Sequence, residues 1–407
     1  MNSTPAYEQL DALFNAGVHP TVGFAMHLGA SRQLGEGDRH VLERQDRAVR
    51  KYLMGLLAIQ NAVIAGTLPE DISRLIYGDC PKNIGPAFHS EVPPLARDIP
   101  QFFRTDNTTI GKVSEVQCPG SMWGEALALQ RLHLQRISSI EDSADMASAF
   151  VEAVNSRVAE PYVLHLLDNA SLPVGMHYFI AATRPHLRYF GLDGLGSEDC
   201  NFIRSHSFQG LVAENLFKKR LALVQKGKAI FDLPPLCIFD QKVPLSFPFG
   251  KLTSSFFDEE VRLTINPTTV VMEDGLLFDG LTHITEFSRL PRSSRDYYLK
   301  YGGMDTSINW GGRAVYRLSN DTSAVCLQRL ISASQDAAKG RYWVLQKTDA
   351  EKSEVIAEDR NGCNISGSMN MGYRFFYTMG TRSCGLYLAR HNFKVHGQWD
   401  TICGLVA

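Results

Sequence analysis

Charge in excess of either sign is missing from this chain: its 407 residues carry a formal net charge of −2. No cluster of Lys and Arg with interleaved aromatics stands out either, so the electrostatic footprint of a nucleic-acid binder is lacking and no such partner is expected. The CxxC pair is absent. The eight cysteines (Cys80, Cys118, Cys200, Cys237, Cys326, Cys363, Cys384, Cys403) are spread singly, which argues against a zinc site and a disulfide framework and fits a reducing cytoplasm. Long hydrophobic runs are also missing. The most apolar early stretch, 52–66, is interrupted by Gln60 and Asn61 and is too short to span a bilayer, so no membrane partner is expected. The opening residues MNSTPAYEQLDALF have neither the basic nor the apolar region of a secretory signal. No internal repeat is visible. Gly191, Gly194 and Gly196 do not match the GxGxxG dinucleotide spacing, and NAD or FAD is not proposed.

What is present is ordinary for a soluble globular enzyme, with 44% hydrophobic and 21% charged residues. The length exceeds one simple core, so two or three lobes are expected. Residues 38–66 read as a helix, because Leu42, Val49, Leu53, Leu56 and Leu57 recur at helical spacing. Residues 161–193 read as a β-α-β unit, with strands at 162–167 and 187–192 around a helix at 173–183, hence an open α/β lobe. Residues 211–230 read as a helix with a basic face, 236–240 as a strand, and 266–269 as a turn. Residues 348–370 are polar and read as a loop, with a turn at Asn361-Gly362. Strands are expected at 373–378, 385–390 and 394–395.

Two segments carry chemistry. The first, FFRTDNTTIGKVSEVQ from Phe102 to Gln117, has the shape of a β-hairpin. Period-2 alternation puts Arg104 and Asp106 on one face of their strand and Glu115 and Gln117 on one face of theirs. If those faces coincide, two carboxylates, an amide and a guanidinium converge, and oxygen ligands of this kind suit Mg²⁺ that also holds phosphates. The plain alternative is an outward polar face with a cross-strand ion pair. A turn at Cys118–Glu125 then leads into a helix at 126–134, whose N-terminal amides suit an anion. The second segment, 296–317, starts as a strand that delivers Lys300. A loop with Gly302, Gly303, Gly311 and Gly312 follows, and then a return strand. Glycines admit close backbone approach to an anion and the lysine adds a point charge; the plain alternative is an ordinary glycine-rich turn. A helix at 327–338 and a buried strand, Tyr342–Leu345, ending in Gln346-Lys347, come after it.

Taken in order over most of residues 100–407, these segments resemble the circularly permuted ATP-grasp ligases, the branch that includes the glutathionylspermidine synthetases. The R-x-D strand, turn and acidic strand lie ahead of the lysine strand, and YWVLQK is similar to the strand that leads to the adenine hinge. The resemblance implies an α+β or α/β multi-lobe ATP-grasp fold with an open α/β substrate lobe. It divides the chain into a helical region with the metal-bearing hairpin (1–155), the α/β lobe (156–275), the lysine strand, lid and hinge (276–350), and a closing sheet (351–407). It implies ATP and Mg²⁺, with Asp106, Glu115 and Gln117 holding the metal and Gln117 standing where the family usually has Asn. Arg104 would stabilise charge on the transferring phosphate, and Lys300, Lys242 and Arg374 would contact ATP phosphates. Gly311 and Gly312 would form the lid, and Gln346 and Lys347 would lie near the adenine. The implied activity joins a small carboxylate, amino acid or peptide-like, to an amine through an acyl phosphate. The alternative is a nucleotide-binding ATP-grasp-like protein that ligates nothing. His391 and His396 are candidates for the base that deprotonates the amine. Arg184, Arg188 and Arg204 are candidates to pair with the substrate carboxylate. A metal enzyme without ATP, using Asp106, Glu115 and the late histidines, and a redox enzyme built on Cys118 are the remaining readings; the oligomeric state is left open.

Overall fold

The computed structural model of the chain describes residues 5–15, 26–80, 99–118, 122–136, 145–165, 174–189, 200–204, 222–232, 236–278, 282–305, 308, 314–347, 351–392 and 400–406. The strands in chain order begin with β1 (His27–Gly29), β2 (Phe102–Thr109), β3 (Lys112–Gln117), β4 (Tyr162–His165) and β5 (Arg188–Tyr189). Then come β6 (Phe202–Arg204), β7 (Ile230–Phe231), β8 (Thr268–Val271), β9 (Tyr297–Tyr301) and β10 (Val315–Arg317). The last are β11 (Trp343–Lys347), β12 (Lys352–Glu358), β13 (Asn364–Thr378), β14 (Thr381–Arg390) and β15 (Ile402–Leu405).

Among the described residues they form a mixed α/β structure with three sheets. The largest runs β12-β1-β15-β14-β13-β2-β3, and β12 also pairs with β13, so this sheet folds back on itself. Alternation along β13 explains why it divides two cores. Tyr373, Phe375 and Tyr377 face the core that includes Leu42, Val49, Leu53 and Leu56 of the helix Glu36–Ile64. Phe376 faces the other way, onto Trp123, Phe150 and Phe179 of the helices Trp123–Arg136, Met146–Arg157 and Val174–Thr183. Phe103 of β2 stacks on Tyr377, ring centroids 4.6 Å apart, while its neighbour Phe102 packs on Phe150 at 4.8 Å. Around β2 and the second half of β13, both faces of this sheet are therefore covered.

The second sheet, β10-β9-β11-β8, is antiparallel. The helix Ser323–Ala337 packs on it, started by Thr322, whose Oγ1 accepts a hydrogen bond from the amide of Val325. The third, β5-β4-β6-β7, is parallel. Its β4-helix-β5 unit is the expected β-α-β, within the described residues.

Four expectations are overturned. The part of the expected 348–370 loop within the described residues, 351–370, is not a loop: β12 and the first half of β13 form a hairpin whose turn holds Gly362 at φ +81°. Its strands are polar on one face, and only alternate residues such as Val355 and Ala357 are buried, so the composition hid a regular alternation. Residues 237–239 are a 3₁₀ turn rather than strand, short and apolar because it is packed on all sides. The helix expected through 230 ends early, and Ile230–Phe231 is strand β7. The turn expected at 266–269 gives way to β8 at Thr268, paired with β11. Strand β15, which lies between β1 and β14, was not anticipated; the expected strand at 394–395 and most of the 211–230 segment lie outside the described residues.

Gly302 and Gly303 occupy a tightly packed corner at the end of β9. A Cβ on Gly303 would stand 2.5 Å from Asp79 Oδ2, and one on Gly302 would stand 2.9 Å from Val243 Cγ2. Gly37, exposed in the helix Glu36–Ile64, has nothing within 4 Å of such an atom. Gly303→Ala is therefore expected to destabilise the fold by about 1–3 kcal/mol. Gly37→Ala should be neutral or stabilising by up to about 1 kcal/mol, because only helix propensity changes. Urea unfolding of both variants checks the contrast.

Candidate functional site

The register of the sheet assembles the site. Asp106 lies directly opposite Glu115, and Arg104 opposite Gln117, across the antiparallel β2–β3 pair. On the other side of β2, Arg374 of β13 lies opposite Asp106. Directly opposed residues share a face, so the four hairpin residues and Arg374 converge, on the side covered by the helix Trp123–Arg136.

Arg104 is 1% exposed and grips Asp106 with two hydrogen bonds, Nε to Oδ1 at 2.7 Å and Nη2 to Oδ2 at 3.1 Å. Arg374 brings its Nε to 3.6 Å from the same Oδ1 and directs Nη1 at Met122 Sδ. Burial, followed by repulsion from Arg104, lowers the Arg374 pKa to about 10. Glu115 accepts a hydrogen bond from Gln117 Nε2 at 3.0 Å and pairs with Lys242 Nζ at 3.2 Å. Burial alone would raise its pKa; Lys242, Lys300, the Gln117 hydrogen bond and Arg104 outweigh burial and lower it to about 2.

Lys300 arrives from the second sheet, where it stands between Val315 of β10 and Val344 of β11. Its Nζ donates to Gln346 Oε1 at 2.7 Å, and Gln346 Nε2 donates to Thr268 Oγ1 at 3.0 Å. Burial lowers its pKa to about 8; Glu115 opposes that shift and Lys242 adds to it. Lys242 is held through its backbone, its amide donating to the carbonyl of Gly302 at 2.9 Å. The hairpin of β2 and β3 and the lysine strand, distant in sequence, thus meet at one charged cluster.

Lys347 is not part of it. It follows Gln346 in β11, points to the opposite side by alternation, and is exposed. His391 is exposed, beside Gly367. Gly311, Gly312 and His396 lie outside the described residues. Arg184 and Arg188 are exposed. Arg204 is the informative one of the three arginines: 2% exposed, with its guanidinium 4.5 Å from the Phe150 ring and 5.3 Å from that of Trp123. Its Nε lies 3.8 Å from Asp232, and among the described residues neither Nη has a hydrogen-bond partner.

Reading of the sequence missed Glu125. Its Oε2 is buried without a hydrogen-bond partner among the described residues. Burial raises its pKa, against the nearby charges of Arg374 and Arg104. An acidic residue in the first turn of a helix ordinarily signals only the helix dipole, so nothing local marks it.

The donors suit a hard cation: Asp106 and Glu115 present carboxylate oxygens on adjacent strands, with the Gln117 amide beside them. Among the described residues no group of three or more His, Cys, Asp or Glu is placed to hold a metal by itself. A cation here would need further oxygens from water or a bound anion, which is how Mg²⁺ is commonly held.

The lowered Glu115 pKa has a definite sign in stability. A carboxylate held below its ordinary 4.5 contributes stability that is fully present above that value and is lost as pH falls towards 2. Glu115→Gln should remove this dependence, so the stability difference between parent and variant narrows over that window. Urea midpoints measured against pH check it.

No known family profile matches the chain, and no curated protein matches it. Among the described residues no helix is long and apolar enough to cross a membrane. The structure is similar to that of a glutathione synthetase-like effector from Globodera pallida in its apo form. The TM-score is 0.51 at 11% identity, with 98% of this chain and 94% of that chain covered. At that identity the likeness is one of fold, and it runs over nearly the whole of both chains.

Proposed function

We propose that the chain is an ATP-dependent ligase of a small carboxylate, amino acid or peptide-like, and an amine, built on a circularly permuted ATP-grasp core. The observation that carries this reading is the meeting of the Asp106–Glu115 hairpin face with Lys242, just ahead of the 3₁₀ turn Val243–Ser246, and with Lys300 from a different sheet. A site that brings an anionic carboxylate to anionic phosphates has to supply positive charge to both and keep water out. The fold shared with a glutathione synthetase-like protein is consistent with it.

In this reading Asp106, Glu115 and Gln117 hold Mg²⁺, and Lys242 and Lys300 hold the nucleotide phosphates. ATP with its metal supplies the phosphoryl group that activates the carboxylate and neutralises charge as that group moves. Arg104 and Arg374 stay fixed against Asp106 and offset negative charge on the reacting oxygens. Gln346, tied to Thr268, orients Lys300. Arg204, buried among aromatic rings, is the arginine best suited to recognise the substrate carboxylate, since a carboxylate accepts from both Nη atoms at once.

The test is calorimetric ATP binding with Mg²⁺, together with hydroxylamine trapping of an acyl phosphate over a panel of small carboxylates. Lys300→Ala should weaken ATP binding about tenfold or more, the loss of one charge-assisted hydrogen bond of about 1.5–3 kcal/mol. Asp106→Ala and Glu115→Ala should remove the Mg²⁺ dependence. If all three folded variants bind ATP like the parent, the site assignment is wrong. Binding without any trapped acyl phosphate would favour a nucleotide-binding protein that ligates nothing.

A second prediction follows from the protonation of Lys300. With its pKa held near 8 in the free protein, the ammonium is present below that pH and lost above it. ATP affinity should therefore fall as pH rises through about 8, and Lys300→Arg, which stays charged, should abolish the inflection. A flat profile for the parent would refute the role given to Lys300.

A further inference from the structure

Two of the free cysteines, far apart in the chain, meet beside the lysine strand. Cys80 Sγ lies 2.7 Å from Cys237 Sγ, and Met304 Sδ lies 3.5 Å from Cys80 Sγ. A covalent S–S bond is about 2.05 Å, so the two sulfurs stand a small displacement from bonding distance. Two thiolates sharing a tetrahedral metal, each at about 2.3 Å from it, would stand farther apart than this. Cys237 is buried, whereas Cys80 is partly exposed. Burial, then the hydrogen bond with Cys80, raises the pKa of the Cys237 thiol well above its ordinary value.

The surroundings hold the two sulfurs in place from both sides. Cys80 lies three residues past the helix Glu70–Tyr77, its amide donating to the carbonyl of Tyr77 at 3.0 Å. Cys237 opens the 3₁₀ turn Cys237–Phe239, and Gln241, four residues on, donates to the carbonyl of Ile76 at 2.7 Å. Both partners are also wired to the charged site. Asp79, next to Cys80, accepts from Tyr301 Oη and from the amides of Met304 (2.8 Å) and Asp305 (3.1 Å) at the end of the lysine strand. On the other side, Lys242 follows Gln241 and pairs with Glu115.

We propose that Cys80 and Cys237 are a redox-reactive dithiol that closes to a disulfide, tying the segment after the helix Glu70–Tyr77, whose Asp79 holds the end of the lysine strand, to the segment that carries Lys242. The oxidant is a small-molecule disulfide. Cys80 loses its proton and attacks one sulfur of that molecule; the old S–S bond breaks and the first small thiol leaves with a proton. Cys237 then loses its proton and attacks Cys80 Sγ of the mixed disulfide. The Cys80–Cys237 bond forms, and the second small thiol departs. Two protein thiols are oxidised by two electrons, and the external disulfide is reduced to two thiols. Cys80 acts first because it is the accessible one, and Cys237 resolves because it is already in contact.

The experiment uses the full chain and 2-hydroxyethyl disulfide as the probe. After exposure, remaining thiols are alkylated and the protein is digested without reductant for mass spectrometry. The expected product is a crosslinked peptide pair joining Cys80 and Cys237, lighter by two hydrogens than the separate thiol peptides and reversed by dithiothreitol. Exposed Cys363 serves as the internal control for reagent action, forming only a mixed disulfide. In Cys237→Ser the reaction should stop at a mixed disulfide on Cys80. Since the parent result needs no variant, failure of the variant to fold would leave the test intact. Recovery of both Cys80 and Cys237 as alkylated thiols while Cys363 is modified overturns the proposal. A crosslink from Cys80 to any other cysteine overturns it as well.

Discussion

A carboxylate can be buried cheaply only if cations meet it there, and this requirement organises the centre of the molecule. Asp106 lies between the guanidinium groups of Arg104 and Arg374, and Glu115 is paired with Lys242 and further compensated by Lys300. At Glu115 the nearby cations outweigh burial and keep the carboxylate charged. Removing one cation would leave a carboxylate with only one compensating charge, so the cluster is interdependent. Glu115 pushed down and Lys300 pushed down, in opposite balance of burial and attraction, are two views of the same constraint.

The register that creates this cluster is held by apolar residues on either side of it. Phe103 and Tyr377 stack on one face of the large sheet, while Phe102 and Phe376 join the other core with Phe150 and Trp123. A slip of one residue in β2 would turn Arg104 and Asp106 into the core of the helix Glu36–Ile64 and expose Phe103 to the polar face. The hydrophobic pattern thereby fixes where the charges stand. The second sheet performs the same service for Lys300, with Val344 opposite it, Leu299 and Leu345 buried on the other face, and Gln346 aligned by Thr268.

Much of this was legible in the residues themselves. The 102–117 hairpin showed its alternation, and the glycine at its turn, Gly111, adopts φ +82° as the turn requires. The lysine strand and its return were likewise visible. The hairpin at 352–370 was not, because its outer face is mostly polar and its inner face is built from small or partly buried residues such as Ala357 and Ile365, which local composition reads as loop. The 3₁₀ turn at 237–239 was mistaken for strand because a short apolar run looks alike in both. Glu125 and the Cys80–Cys237 contact escaped for a different reason: each partner is unremarkable in its own neighbourhood.

Sequence alone determined the local choices, namely which residues alternate, where helices begin, and which strands carry Arg104, Asp106, Glu115, Gln117 and Lys300. It also left open whether the hairpin's two polar faces coincide. Tertiary structure decided that they do, by pairing Asp106 with Glu115 and by bringing β13 alongside with Arg374. It alone decided that Lys242 and Lys300 meet them, that Lys347 does not, and that Arg204 is enclosed by aromatic rings. The physical reason is that period-2 alternation acts within a strand, whereas charge pairing across sheets depends on which apolar surfaces pack together, and that is a property of the whole chain.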